Sequence, residues 1–417
     1  MAPSPGDPSS ALAARLEAAL RDPEARLAQH GLREAIALGV GPASAGLVPG
    51  EGGLRAIAPA PAGATVRLSL APEAWTAALA PFPRPGFHSV TALRRGGHLR
   101  VEGDPLAFAR CLFLLERLLE LLRGASPRPA APSVKRDVGL IAGRYHRLAP
   151  PGQGAADVFA ESSGAGVPVV FLHTAGADAR QWGALLADAD LAAGHRLHAF
   201  DLPFHGRTLP PEGWDGGAPL LGAERYLAWC TAFLEEVVRE PAIVSGCSMG
   251  AAMALVLAAE RPALVRGVVA VEAPFRATGR LNPALAHPEV NAAAHNPSYV
   301  RGLMAPAGSE AARRAALWIY AQGAYGVYAG DLAFYEAFDG GAVAPRIDGA
   351  RCPVAFLAGA YDYSATPDDA RRLAALIPGA TVDVMDDLGH FPMVEDPDRF
   401  RLHFVPALER VGARSAR

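Results

Sequence analysis

The sequence predicts an α/β protein, a mostly parallel sheet with a helical cap, preceded by a small α+β domain. Three observations carry this. After residue 134, short continuous apolar runs alternate with helical stretches, the pattern of buried parallel strands with helices on both faces. Two of those runs are separated by about 80 residues, far more than a strand-to-helix connection needs, which leaves room for a cap. A Pro-rich stretch near residue 130 sets this part off from a shorter one of different rhythm.

In chain order, residues 9–38 place Leu12, Leu16, Leu20 and Leu27 at helical spacing, so a helix is expected there. Residues 64–70 alternate instead, with Val66, Leu68 and Leu70 on one face of a half-buried strand. A second strand, 99–102, ends at Gly103-Asp104-Pro105, an acidic cap followed by Pro in the first turn. The helix it opens carries Phe108, Cys111, Leu112, Leu115, Leu118, Leu119 and Leu122. Residues 1–125 therefore read as a small α+β domain. The strand Val66–Leu70, the segment Pro72-Glu73-Ala74-Trp75, and Arg100-Val101-Glu102-Gly103-Asp104 before a Leu-rich helix resemble the sterol-carrier-protein-2-like fold. That resemblance implies an apolar ligand, while the residues alone equally support a structural or dimerising role, so a homodimer is left open.

Residues 126–133 have the composition of a semi-rigid linker. Beyond it, from 134 to 417, the expected strands are Val167–Leu172, 196–200, 242–245, Val265–Val271, 354–357 and Thr381–Met385. The cap insertion is expected at about 276–346.

Composition narrows the chemistry. At about 150 residues per domain, 417 residues make two or three folding units. Of 39 basic residues only Lys135 is a lysine, and it stands in a polar stretch without glycines. A phosphate-binding loop needs its lysine after the glycines, and Schiff-base chemistry needs a desolvated amine, so both are excluded. The excess of Arg, Ala, Gly and Pro reads as a GC-rich, bacterial coding bias. A net charge of −3 offers no field for nucleic acid or an acidic membrane, so the expected partner is a small-molecule substrate. Cys111, Cys230, Cys247 and Cys352 show no C-x-x-C spacing and fit reduced thiols. With no signal-like N-terminus and no long uncharged apolar run, a cytoplasmic protein is expected.

Gly246-Cys247-Ser248-Met249-Gly250 matches G-x-S-x-G, with an apolar strand before it and an Ala/Leu-rich helix after it. A strand turning directly into a helix strains its central residue, and glycines two positions away let neighbouring chains approach. Ser248 is the expected nucleophile, with Met249 N–H aimed where negative charge would develop. His390, in a Gly-His step after the last core strand, is the expected general base, and His403 in the terminal helix is its rival. Asp362 follows an apolar strand, 114 residues after Ser248 and 28 before His390, and is the expected acid. Glu272, at the end of the preceding strand, is the alternative acid.

The turn His173-Thr-Ala-Gly after the strand Val167–Leu172 makes Ala175 N–H the second expected oxyanion donor. Asp178 is expected to cap the next helix, and Asp201 and His205 to build their loop. No cofactor is expected and no metal, because neither H-E-x-x-H nor H-x-H-x-D-H occurs. Residues expected near the substrate are His173, Trp182, Phe204, Trp318 and Tyr361.

Taken in order, His173-Thr-Ala-Gly-Ala-Asp178, Asp201-x-Pro-x-His-Gly206, Gly246-x-Ser-x-Gly250, Gly359-Ala-Tyr-Asp362 and Gly389-His390 resemble the α/β-hydrolase superfamily from about residue 132 onward. One departure is His-Thr-Ala where that superfamily more often has His-Gly-x. The resemblance implies a serine hydrolase with a cap, acting on a small, largely apolar or aromatic ester, lactone or related acyl compound through an acyl-enzyme. Two alternatives stay open: hydrolysis of a C–C bond in a ring-cleavage product, and non-catalytic binding of a hydrophobic ligand.

Overall fold

The computed structural model describes residues 7–124 and 131–415; most of the linker expected at 126–133 lies outside them. The chain divides into two compact units, residues 1–128 with 283–307, and residues 129–282 with 308–417.

The first unit holds a five-stranded sheet of β1 (Ile36–Val40), β2 (Ala43–Gly50), β3 (Gly53–Ile57), β4 (Val66–Leu70) and β5 (Leu99–Gly103), in the order β3-β2-β1-β4-β5. Only β1 and β4 run parallel. In β4, Val66, Leu68 and Leu70 are buried and their neighbours exposed, as the alternation requires. They meet Leu12 and Leu16 of the helix Pro8–Ala19 and the apolar side of Pro105–Arg123, capped by Asp104 with Pro105 in its first turn. The apolar hollow between sheet and helices measures about 60 Å³, room for a few waters at most.

Two expectations change here. The single helix over 9–38 is two helices, Pro8–Ala19 and Pro23–Ala28, followed by β1. Asp22 caps the second through the Glu24 and Ala25 N–H groups, and Pro23 cannot continue the first. The insertion expected as one cap at 276–346 is also divided. Its helix Ala292–Leu303 belongs to the first unit, where His295 Nδ1 bonds the Ala109 carbonyl at 3.0 Å and Ser89 Oγ donates to the Gly302 carbonyl at 2.7 Å. Arg301, whose side chain is 1% exposed, pairs there with Glu24 at 2.7 Å and with Glu120.

The second unit is built on an eight-stranded sheet: β6 (Ala142–Leu148), β7 (Ala156–Ser163), β8 (Val167–Leu172), β9 (His195–Phe200), β10 (Ala242–Cys247), β11 (Val265–Val271), β12 (Val354–Gly359) and β13 (Thr381–Met385). The order is β13-β12-β11-β10-β8-β9-β7-β6, parallel from β13 to β9, with β7 and β6 antiparallel at one edge. β6 escaped the reading because it is largely exposed and carries no apolar run, and β7, mostly buried, because its apolar run Val158-Phe159-Ala160 is bounded by Asp157 and Glu161. After β8 the chain first goes to one side and then to the other. Such a reversal opens a crevice at the carboxyl ends of the strands, where ligands of open α/β sheets bind. Among the described residues no helix is long and apolar enough to cross a membrane.

Candidate active site

Ser248 stands between β10 and the helix Met249–Glu260 with φ 57° and ψ −114°, a conformation that costs energy in any residue but glycine. Its N–H donates to the Val271 carbonyl at 2.9 Å, which ties it to β11. A Cβ on Gly246 would fall 2.3 Å from Gly250 backbone atoms, and one on Gly250 would fall 2.4 Å from the Leu172 carbonyl oxygen. The two glycines therefore let the helix start press against the end of β8, which brings Met249 beside the His173 turn. As the first residue of its helix, Met249 has an N–H without an intrahelical partner.

Asp362 leaves the end of β12 and His390 follows β13. Tyr361 N–H donates to the Leu388 carbonyl at 3.1 Å and Cys247 Sγ to the His390 carbonyl at 3.2 Å, fastening the three loops to one another. The result is a continuous relay. His390 Nδ1 lies 2.5 Å from Asp362 Oδ2, and Nε2 lies 2.8 Å from Ser248 Oγ. Burial would raise the Asp362 carboxyl, but His390 and the Ser364 and Ala365 N–H groups outweigh it and hold it below the ordinary carboxylate range. An ionised Asp362 makes Nδ1 the donor and leaves Nε2 free to accept the serine proton.

Glu272 sits behind this relay. It is fully buried at φ 49°, with both oxygens on the Gly359 N–H at 2.8 and 2.9 Å, and makes no hydrogen bond to His390 among the described residues. Burial and the charge of Asp362 raise it well above the ordinary range, so it keeps its proton and shares a hydrogen bond with Asp362. His403 is elsewhere, on Asp383 Oδ2 at 2.9 Å.

The His173-Thr-Ala-Gly turn, where the second oxyanion donor is expected, is held from two sides. His173 Nδ1 bonds the Thr174 carbonyl at 2.9 Å and Nε2 accepts the Leu202 N–H at 3.3 Å, so the ring is neutral; burial lowers it to about 4. Thr174 Oγ1 bonds Gln181 at 3.1 Å and also the Tyr320 hydroxyl. Gly176 N–H donates to Asp331 Oδ2 at 2.7 Å, whereas Ala175 N–H makes no hydrogen bond among the described residues. Asp331 also receives His205 Nε2 at 2.7 Å, while His205 Nδ1 faces the Pro203 carbonyl at 2.9 Å. Asp178 caps the turn Ala179–Trp182 through the Arg180 N–H, and Asp201 accepts from Ala179 and Arg207 N–H, both at 2.8 Å.

Of the residues expected at the substrate, Trp182 is fully buried and stacks on Phe171 at 4.7 Å, so it is sheet-facing core. Trp318 is 66% exposed, on the face of Glu310–Ala321 opposite the buried Ala316 and Tyr320. Helical phase decides both. Phe204, at φ 74°, borders a cavity of about 840 Å³ beside the oxyanion turn, which includes no member of the relay. Tyr361 is buried and serves as the backbone tie already described. Four polar residues were not among those expected at the site: Arg280, Tyr328, Tyr335 and Ser364. The two tyrosines stood in the sequence as aromatics seven residues apart, two turns of one helix, and Arg280 gave no signal at all.

Nucleophile turn, imidazole and carboxylate at the carboxyl ends of a parallel sheet define a hydrolase of the α/β class. The sequence pattern of the alpha/beta hydrolase family matches residues 169–401, and the chain belongs to that family. The match does not reach the N-terminal domain, so it lends nothing to the sterol-carrier-like resemblance. Among solved structures the chain is similar to the enol-lactonase from Burkholderia xenovorans LB400, with TM-score 0.54 and 20% identity, covering 63% of this chain and 100% of that one. It is similar also to a thermophilic esterase from Thermogutta terrifontis (TM-score 0.52, 19% identity, 64% and 99% covered) and to an esterase from Exiguobacterium antarcticum (0.53, 16%, 64% and 100%). At such identities the likeness is one of fold. No curated protein matches the chain in sequence.

Proposed function

We propose that this α/β-hydrolase cleaves a small carboxylic ester or lactone, with a largely apolar or aromatic acyl part, through an acyl-enzyme on Ser248. The observation that carries the reading is the unbroken relay from Asp362 through His390 to Ser248 Oγ, at 2.5 and 2.8 Å. An enol-lactonase and esterases among the solved structures of the same fold support it.

Ser248 Oγ attacks the carbonyl carbon while its proton passes to His390 Nε2, and the displaced electron pair rests on the carbonyl oxygen facing Met249 and Ala175 N–H. Collapse re-forms the carbonyl and breaks the ester C–O bond, and the leaving oxygen takes the proton from His390. A water then gives its proton to His390 as its oxygen adds to the acyl carbon. The second collapse releases the carboxylic acid and returns the proton to Ser248. Asp362 stays ionised throughout and stabilises the imidazolium. The step needs no metal or cofactor. Ser248, Asp362 and His390 are 3%, 3% and 1% exposed, so the relay is largely shielded from bulk solvent.

A fluorophosphonate probe is expected to add once, at Ser248, and Ser248→Ala to abolish both labelling and turnover of 4-nitrophenyl esters. Labelling at another residue, or turnover by the Ser248→Ala protein, overturns the reading.

A further inference from the structure

A second set of polar side chains lies beside the relay, and three of its buried polar atoms make no hydrogen bond. Arg280 Nη2 donates to the Tyr328 hydroxyl at 3.2 Å, but Nη1 is shut off from solvent and makes no hydrogen bond. Among the described residues no carboxylate pairs with this guanidinium. Asp362 lies within its electrostatic reach, as do the Tyr328, Tyr335 and Tyr363 hydroxyls. Yet Asp362 is already taken, by His390 at 2.5 Å and by the Ser364 N–H at 2.6 Å. The Tyr335 hydroxyl faces Ser248 and Ser364 but reaches hydrogen-bond geometry with neither, and Ser364 Oγ is buried without a partner as well.

These groups form one patch. The Tyr328 ring rests on Gly176 of the oxyanion turn, and Tyr335, two helical turns later in Val327–Ala337, faces Ser248. A cation with a buried, unpaired donor is costly to keep, and hydroxyls alone would suffice to recognise a neutral polar group. The unpaired charge singles out an anion, and a planar guanidinium flanked by hydroxyl donors matches the two oxygens of a carboxylate.

We propose that the substrate carries a carboxylate besides its scissile ester or lactone, seated on Arg280 with the Tyr328 and Tyr335 hydroxyls as further donors. The proposal rests on Ser248 as nucleophile only in placing the scissile bond; the anion site itself can be read without turnover.

The first test compares kcat/KM for mono-4-nitrophenyl glutarate and 4-nitrophenyl pentanoate, which differ at the far end of the acyl chain. The wild-type ratio is expected to exceed about ten, the return for one added charge-assisted contact. Arg280→Gln and Arg280→Met are expected to bring it near one, with Arg280→Lys between. A wild-type ratio near one, or a ratio indifferent to Arg280, overturns the proposal. The second test is calorimetric, on the Ser248→Ala protein: benzoate is expected to bind about tenfold or more tighter than benzamide, and equal binding overturns the proposal. If neither ester is turned over and no fluorophosphonate adduct forms, the hydrolase reading fails while this binding arm still decides the anion site.

Discussion

Two carboxyls meet behind His390, and their surroundings sort them into different roles. Asp362 is held ionised by the imidazole and by two backbone N–H groups; Glu272, buried against it with the Gly359 N–H, keeps its proton. Of the two, only Asp362 hydrogen-bonds the imidazole of His390 among the described residues. Asp362→Asn is therefore expected to lower kcat by about 10⁴-fold, through loss of the correct tautomer. Glu272→Gln keeps a donor toward Asp362 and is expected to cost less than about tenfold, a loss within the range of one neutral hydrogen bond. Steady-state kinetics of the two variants checks this, and the reverse ranking would hand the acid's role to Glu272. Sequence reasoning reached Ser248, His390 and Asp362 because each follows an apolar strand in an interpretable turn. Arg280 escaped it because its meaning lies in what it fails to contact, and that is visible only when the neighbours are in place.

At the scale of elements, the nucleophile turn depends on a close approach between the helix Met249–Glu260 and the end of β8. Gly250→Ala would put a methyl 2.4 Å from the Leu172 carbonyl oxygen, against backbone that cannot rotate away. The expected cost is about 1–3 kcal/mol of stability, the usual size of an overpacking strain, with kcat lowered through displacement of Met249 N–H. Urea denaturation and kinetics measure the two parts.

The helix Val327–Ala337 is pinned to the oxyanion turn by Asp331, which accepts both the Gly176 N–H and His205. Burial works against a charged His205, but the charge and hydrogen bond of Asp331 and the Pro203 carbonyl outweigh it and hold the imidazole above its ordinary value of 6.5. A folded value above the unfolded one means stability complete below pH 6.5 and lost as pH rises through the folded value. Thermal unfolding of the wild type is expected to fall across that window, and His205→Gln to flatten the dependence. An unchanged slope in the variant would place the titration elsewhere.

Across the whole molecule, the assignment of residues 283–307 to the first unit was out of reach of pattern reading. Helical periodicity in Ala292–Leu303 says that one face is apolar, not which sheet or helix will cover it. The pairing of Arg301 with Glu24 and Glu120 spans more than 180 residues of sequence. Removing the guanidinium leaves Glu24 and Glu120 to Arg117, which pairs with them at 3.3 and 3.2 Å. Arg301→Ala is expected to destabilise this unit by about 1.5–3 kcal/mol, the size of a lost hydrogen bond between charged groups. Hydrogen exchange in Pro105–Arg123 would accelerate roughly tenfold or more. Exchange at the wild-type rate would show that the pair contributes nothing net.

The sequence alone pointed to the class of fold, to the strands of the parallel core in chain order, and to Ser248, Asp362 and His390, which the structure brings together. These are written locally, in apolar runs of strand length, in glycines at fixed offsets and in turns that follow strands. Only the tertiary structure decided that Asp362 and not Glu272 hydrogen-bonds His390, that Trp182 packs into the core and Trp318 stands exposed, and that part of the insertion belongs to the first unit. It alone brought Arg280 to Tyr328 with one donor unpaired. Burial, charge pairing and the lack of a partner depend on neighbours far along the chain, and no local pattern encodes them.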